Sequence, residues 1–200
     1  MKSITREGLD FFYRSSMWFS RRVSIWFYRL FFRQIGHKSG IIKPLRIIGA
    51  QYISIGCGVT IDKFVYLYAL DTKKEPEIRI DDNARIGHYC HIVALDKVHI
   101  ERDVLIGDRV YIGDNNHNYK DISCPVSEQG VSSKATTVIG AGSWIADGVV
   151  IISSKVGKNC VIGANSVVTQ DIPDYSVVVG NPAKIIKYYD PLTEKWINHE

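Results

Sequence analysis

The residues best suited to chemistry lie in a polar run, Asp114-Asn115-Asn116-His117-Asn118-Tyr119, inside the long interval between Ile112 and Ile139. A hydroxyl is a weak nucleophile at neutral pH. A neutral imidazole near its ordinary pKa can take the hydroxyl proton as attack proceeds, so His117 is the candidate general base. Its ring should be steered by a carbonyl or carboxylate on the other nitrogen. His88, His91, His99 and His199 read first as surface or satisfied polar residues, although His88 and His91 could line an acceptor site on an adjacent coil, for which Asn116 and Tyr119 are the other candidates.

What positions these groups follows from a period of six. Aliphatic residues recur as Ile55, Ile61, Leu67; Ile80, Ile86, Ile92; Ile100, Ile106, Ile112; Ile139, Ile145, Ile151; and Val156, Ile162, Val168. Six matches neither the strand period of two nor the helical 3.6, so no amphipathic helix keeps them on one face. Short extended segments that turn by a third of a circle after every six residues would point each aliphatic inward, three to a triangular coil. Gly87, Gly107, Gly113, Gly140, Gly157 and Gly163 follow the inward residue, where a side chain would crowd a turn or a neighbouring backbone. Ala84, Cys90, Val104, Val110, Ser143, Val149, Cys160 and Ser166 stand four places after it, as second fillers of a narrow interior. Irregular steps fall only after three hexapeptides, which puts every insertion at one edge of the prism; the longest, 114–137, is where chemistry is expected. The short step Ile151-Ile152-Ser153-Ser154-Lys155-Val156 predicts a local distortion rather than a lost coil.

The 200 residues, 46% hydrophobic and 23% charged, suit one enzyme-sized solenoid. The net charge of +4 is unevenly spread: residues 1–46 hold ten Lys or Arg against Glu7 and Asp10, and the remainder carries a negative balance. A basic excess so localised is a weak basis for nucleic-acid binding, and none is expected. Cys57, Cys90, Cys124 and Cys160 are too scattered for a zinc motif and read as core thiols in a reducing compartment. No signal peptide is recognisable, and a cytoplasmic location is expected. Residues 8–34 read as a helix rich in Trp, Phe and Tyr around a stripe formed by Arg14, Arg21, Arg22, Arg29 and Arg33. Such a helix is too interrupted by charge to span a bilayer, and it fits an anionic lipid interface, a cap on the first coil or a contact with neighbouring subunits.

The runs Ile139-Gly140-Ala141-Gly142-Ser143-Trp144-Ile145-Ala146-Asp147-Gly148-Val149-Val150-Ile151, Val161-Ile162-Gly163-Ala164-Asn165-Ser166-Val167-Val168-Thr169 and Gly180-Asn181-Pro182-Ala183-Lys184 resemble the hexapeptide-repeat acyltransferases. The likeness covers residues 47–187 and is similar, more narrowly, to the sugar O-acetyltransferases of lipopolysaccharide and capsule biosynthesis. It implies an all-β fold, a left-handed parallel β-helix of about five triangular coils over 47–180. An N-terminal helical segment (1–46) and a short C-terminal helix within 181–200 would flank it. It implies a homotrimer with acetyl-CoA in grooves between subunits, and it places His117 at the position of the family's catalytic histidine. By residue match, Ala146 and Ala164 would line the pantetheine arm, Thr169 the region near the nucleotide, and Lys184 and Lys187 the phosphates, while Trp144 would either cover a coil edge or stand near the cofactor. Gln170 stands where a lysine is frequent, and Ala146-Asp147 replaces a Gly-led pair. An amide of Gly142 or Ser143 is the candidate oxyanion donor.

Three readings compete. The first is acetyl transfer from acetyl-CoA to a sugar hydroxyl on a glycan precursor. The second is N-acetylation of an amino sugar, with the same donor. The third is a zinc site of the γ-class carbonic anhydrase type, which needs a histidine pair five residues apart; His88 and His91 are three apart, so no metal is expected. An appended nucleotidyltransferase domain is not expected before the coils.

Overall fold

The computed structural model describes residues 25–71 and 75–199. Its core is a three-sided prism of parallel strands, one strand per side in each coil. The first face stacks Gln34–Ile35, Ile53–Ile55, Glu77–Ile80, Lys97–Ile100, Thr137–Ile139 and Lys155–Val156. The second stacks Gly40–Ile41, Thr60–Ile61, Arg85–Ile86, Leu105–Ile106, Trp144–Ile145, Val161–Ile162 and Ser176–Val179. The third stacks Arg46–Ile48, Tyr66–Ala69, His91–Ala94, Tyr111–Gly113, Val150–Ile152 and Val167–Val168. Register is in phase, so Ile55, Ile80, Ile100, Ile139 and Val156 form one inward column, and Leu67, Ile92, Ile112, Ile151 and Val168 another. All of these are buried. Each buried aliphatic is worth about 1.5–3 kcal/mol relative to exposure, which is why the six-residue period dominates local propensity.

The corners explain the remaining positions of the hexapeptide. The third residue after the inward aliphatic is left-handed at nearly every turn, occupied by Gly58, Asn83, Tyr89, Asp103, Arg109, Gly142, Gly148, Asn159 and Asn165 among others. An acidic residue one place earlier accepts the orphan corner amide of the preceding coil. Thus Asp82 takes the N–H of Cys57 at 2.7 Å, Asp108 that of His88 at 2.7 Å, Asp147 that of Asp108 at 2.9 Å, and Asp174 that of Lys158 at 2.8 Å. The second fillers are all buried. The polar ones also bond between coils: Ser143 donates to the Gly157 carbonyl at 2.8 Å and accepts from the Cys160 amide at 2.9 Å, and Cys90 donates to the Gly107 carbonyl at 3.0 Å. The glycine after the aliphatic is a matter of close approach. A Cβ on Gly140 would lie 2.5 Å from the carbonyl carbon and oxygen of Gly157. Gly140→Ala is therefore expected to destabilise the protein by about 1–3 kcal/mol, read as a lowered midpoint in urea unfolding with an unchanged slope.

Insertions do leave at one edge. The connections that follow Ala69, Ala94, Gly113 and Ile152 all join the third face to the first. At the short step, Ser153 takes φ 48° while Ile139 still pairs with Val156, so a kink absorbs the missing residue and the coil survives.

Three expectations are corrected. The prism begins at Gln34 rather than residue 47, and the two faces that close each coil on this side are six-stranded, one coil more than the five expected. Ile35 and Ile41 are buried, and with partly buried Ile47 they extend the same six-residue period into the basic segment. Of the helix expected over 8–34, residues 8–24 lie outside the described residues; helix is present at 25–28 and has given way to turn by 29. The C-terminal segment is not helical. Lys184–Asp190 and Lys195–Asn198 run antiparallel to Ser176–Val179 and to each other, extending the second face to nine strands. Their β-branched and aromatic residues, Ile185, Ile186, Tyr188, Tyr189, Trp196 and Ile197, suit a half-exposed sheet, and the hairpin covers a strand edge that the second face would otherwise leave bare.

Candidate active site

The long insertion is an ordered arm, fastened at both ends. Asp114 is wholly buried, and its carboxylate accepts the backbone N–H groups of Leu95 at 2.8 Å, Asp96 at 2.7 Å and Lys97 at 2.7 Å, with the Asn115 side-chain amide at 3.1 Å. At the return, buried Thr137 donates its hydroxyl to the Gly113 carbonyl at 2.9 Å. Between these staples Asn115–His117 pairs antiparallel with Val131–Ser133, His117 facing Val131. Beyond the pairing, Asn118 donates to the Gln129 carbonyl at 2.9 Å and Ser132 to the Asn118 side-chain oxygen at 2.7 Å. Hydrogen bonds from the Ser123 hydroxyl and amide hold the Asp121 carboxyl below its usual range.

His117 thus sits on a braced ribbon two coils from the C-terminal end of the loop-bearing edge, and it is exposed. Asn116, His117 and Tyr119 line one groove together with Lys120, Ser132 and Lys134. No described residue hydrogen-bonds the His117 ring, so the steering partner expected from sequence is not supplied by the described part of this chain. His91 does not line that groove. It lies on the third face between Tyr66 and Tyr111, with ring centroids 4.2 Å and 5.4 Å away in edge-on contact. Burial pushes its pKa down, and its Nε2 is enclosed without a hydrogen-bond partner.

The residues matched to coenzyme A divide into two sets. Thr169 and Lys184 meet in one groove at the C-terminal end of the prism, with Gln170, Pro182 and Ile185. Trp144, Ala146 and Ala164 belong instead to the second face and its exit corner: Trp144 is 49% exposed beside Leu105, Ala146 is buried, and Ala164 is exposed. Lys187 is exposed on the antiparallel strand that follows. The two amides expected to serve an oxyanion are both engaged. Gly142 N–H donates to the Arg102 carbonyl at 3.1 Å and Ser143 N–H to the Gly140 carbonyl at 3.3 Å, so neither is free to do so. Asp147, which broke the family's Gly-led pattern, is the acceptor for a corner amide described above, a structural duty.

Burial pushes the Cys90 thiol up to about 12 and raises Cys160, as befits inert core thiols. Among the described residues no group of three or more His, Cys, Asp or Glu is placed to hold a metal ion.

Comparison with known proteins places this geometry. No family model matches the chain. The Escherichia coli (strain K12) protein WbbJ, named for lipopolysaccharide biosynthesis O-acetyl transfer, is 37% identical over 134 residues, covering 64% of this chain and 68% of that protein. The chain belongs to the hexapeptide-repeat acyltransferases. It is an enzyme of that class, and its coils wind left-handed. Two solved structures share the fold. A hexapeptide-repeat acetyltransferase of Vibrio cholerae O1 biovar eltor in complex with acetyl-CoA is 24% identical with a TM-score of 0.57, covering 82% of this chain and 74% of that one. A variant of AntD, an N-acyltransferase of Bacillus cereus in complex with dTDP-4-amino-4,6-dideoxyglucose and coenzyme A, is 18% identical with a TM-score of 0.67, covering 85% and 91%. Against two further curated acetyltransferases, from Mycobacterium tuberculosis and Saccharomyces cerevisiae, the chain spans 38% and 58% of the relative's length.

Proposed function

We propose that the protein transfers an acetyl group from acetyl-CoA to a sugar hydroxyl of a lipopolysaccharide, capsule or related glycan precursor, with His117 as general base. The observation that carries this reading is the exposed imidazole on the stapled arm, in a groove whose Asn116, Tyr119, Lys120 and Ser132 offer hydrogen bonds to a polyhydroxylated acceptor. Acetyl-CoA would supply the acyl group. His117 takes the hydroxyl proton as the acceptor oxygen attacks the thioester carbonyl, the C–S bond then breaks, and coenzyme A leaves as the thiol with the proton returned from the imidazole; the arm holds the acceptor against His117. The 37% identity to a protein named for O-acetyl transfer favours oxygen over nitrogen as the acceptor. N-acetylation of an amino sugar is the alternative, favoured by the fold shared with AntD, an N-acyltransferase seen with an amino-sugar nucleotide.

The working unit in this proposal is a homotrimer. Its support is the division just described: the His117 arm and the Thr169–Lys184 groove lie on the loop-bearing edge and end, while Trp144, Ala146 and Ala164 lie around the second face. Adjacent copies would join the two sets across a seam, and light scattering of the purified chain tests the mass. A cytoplasmic location fits the four cysteines, all free thiols.

Lys184 would act on the donor's phosphates as a point charge. Lys184→Ala is expected to raise KM for acetyl-CoA about tenfold with kcat nearly unchanged, the pattern of lost uniform binding. The acceptor class is tested by mass spectrometry of surface glycans from cells with and without the protein: loss of one acetyl group per repeat supports the proposal, and unchanged glycans contradict it.

A further inference from the structure

The first-coil end of the prism presents a surface that neither the repeat nor acetyl transfer requires. Across residues 25–32 the chain divides its side chains between two directions. Ile25, Tyr28 and Phe32 pack on the core of the first coil, Phe32 being 7% exposed. Trp26 at 74%, Phe27 at 58%, Leu30 at 70% and Phe31 at 54% exposure point away from it, with Phe27 and Phe31 in ring contact at 5.0 Å. Leu45 adds a fifth exposed apolar group at 66%. Single exposed apolar residues are ordinary, but a cluster of large ones marks an interaction site.

The charge around the cluster says what it meets. From residue 11 through 61 the sequence holds eight Lys or Arg and no Asp or Glu. Of these, Arg29, Arg33, Lys38, Lys43 and Arg46 are exposed around the first coil. Among the described residues the Arg29 side chain donates to the Gly36 carbonyl at 3.5 Å, and Arg33 approaches Glu75 at 3.7 Å. A protein partner would need a counter-surface both greasy and strongly acidic. An anionic bilayer offers both at once, since aromatic rings sit at the headgroup level and cations gain from the negative surface potential. The chain continues into residues 1–24 with Trp18, Phe19, Arg14, Arg21 and Arg22, the same pairing of aromatic and basic side chains. Among the described residues no helix is long and apolar enough to cross a membrane.

We propose that this end of the prism, through Trp26, Phe27, Leu30, Phe31 and the cations around them, is a docking surface for anionic lipid. Coils advance about 4.8 Å each, so the arm bearing His117, which leaves after the fourth coil, would stand roughly 15 Å above the headgroups. An acceptor carried on a lipid would be presented at that height. The docking itself does not depend on the acetyl-transfer reading.

The test is flotation of the full chain with phosphatidylcholine vesicles, with and without phosphatidylglycerol. The expected result is binding to the anionic vesicles, weakened by salt. A triple variant Phe27→Ser, Leu30→Ser, Phe31→Ser should bind about tenfold less, and so should Arg29→Glu with Lys38→Glu. These positions are exposed, so the thermal transition and acetyl-CoA turnover with a soluble acceptor should be retained. Failure of the full chain to float with either composition overturns the proposal, as does undiminished flotation of both variants. A lower oligomer mass of the triple variant without lipid also overturns it, because the patch would then belong to a second copy of the chain.

Discussion

Replacing His117 by alanine is expected to lower kcat by about two to four orders of magnitude while leaving acetyl-CoA binding nearly intact. That range is the usual size of a lost positioned general base. The geometry makes the variant clean. The ring is exposed, no described residue depends on it for a hydrogen bond, and the backbone pairing of His117 with Val131 does not involve the side chain. Stability should therefore stay within about 0.5 kcal/mol of the parent, as for other surface substitutions without a special role. Steady-state kinetics together with a direct measurement of coenzyme A binding separate the two quantities. A variant that turns over at the parental rate removes His117 from the mechanism.

Asp114→Ala should produce the largest structural effect. The carboxylate gathers three consecutive backbone amides at 2.7–2.8 Å, and it is fully buried. Its loss strands those donors at the root of the arm. With about 1–3 kcal/mol for each buried group left unsatisfied, and partial rehydration at the surface side, a loss of roughly 3–5 kcal/mol is expected, a large share of a typical total. Urea unfolding measures it. Asp114→Asn keeps one acceptor oxygen and should recover part of the loss. Activity should fall in both variants, and more steeply than stability in the asparagine form, because the amide cannot hold all three N–H groups and the ribbon carrying His117 is set from this point. An alanine variant as stable as the parent would show the staple to be dispensable.

Much of this molecule was legible from its residues, for a physical reason: a solenoid repeats one local rule, and each coil meets only its neighbours. The column of Ile55, Ile80 and Ile100, the small fillers Ala84 and Ser143, the glycines at close approach and the single edge for insertions all follow from one six-residue phrase. The misses lie where that phrase is masked or where distant segments decide. Ile35, Ile41 and Ile47 kept the period, but the aromatic and basic residues around them read as a different element. The C-terminal strands lack any repeat and are strands because Ser176–Val179 offers them an edge. Asp114 looked like one more polar residue in a loop; its role depends on three amides some eighteen residues earlier in sequence, brought opposite by the coil below. The amides of Gly142 and Ser143 were expected to be free because sequence cannot reveal that Arg102 and Gly140 already hold them.

The arm has a consequence of its own. Its two strands brace each other, and among the described residues its side-chain hydrogen bonds to the prism come from Asp114 and Thr137, so exchanging residues 118–130 would leave those ties in place. On the proposed function, an acceptor with differently placed hydroxyls would call for changes in the arm, at Asn116 and Ser132 as well as at its tip, while the coils stay as they are.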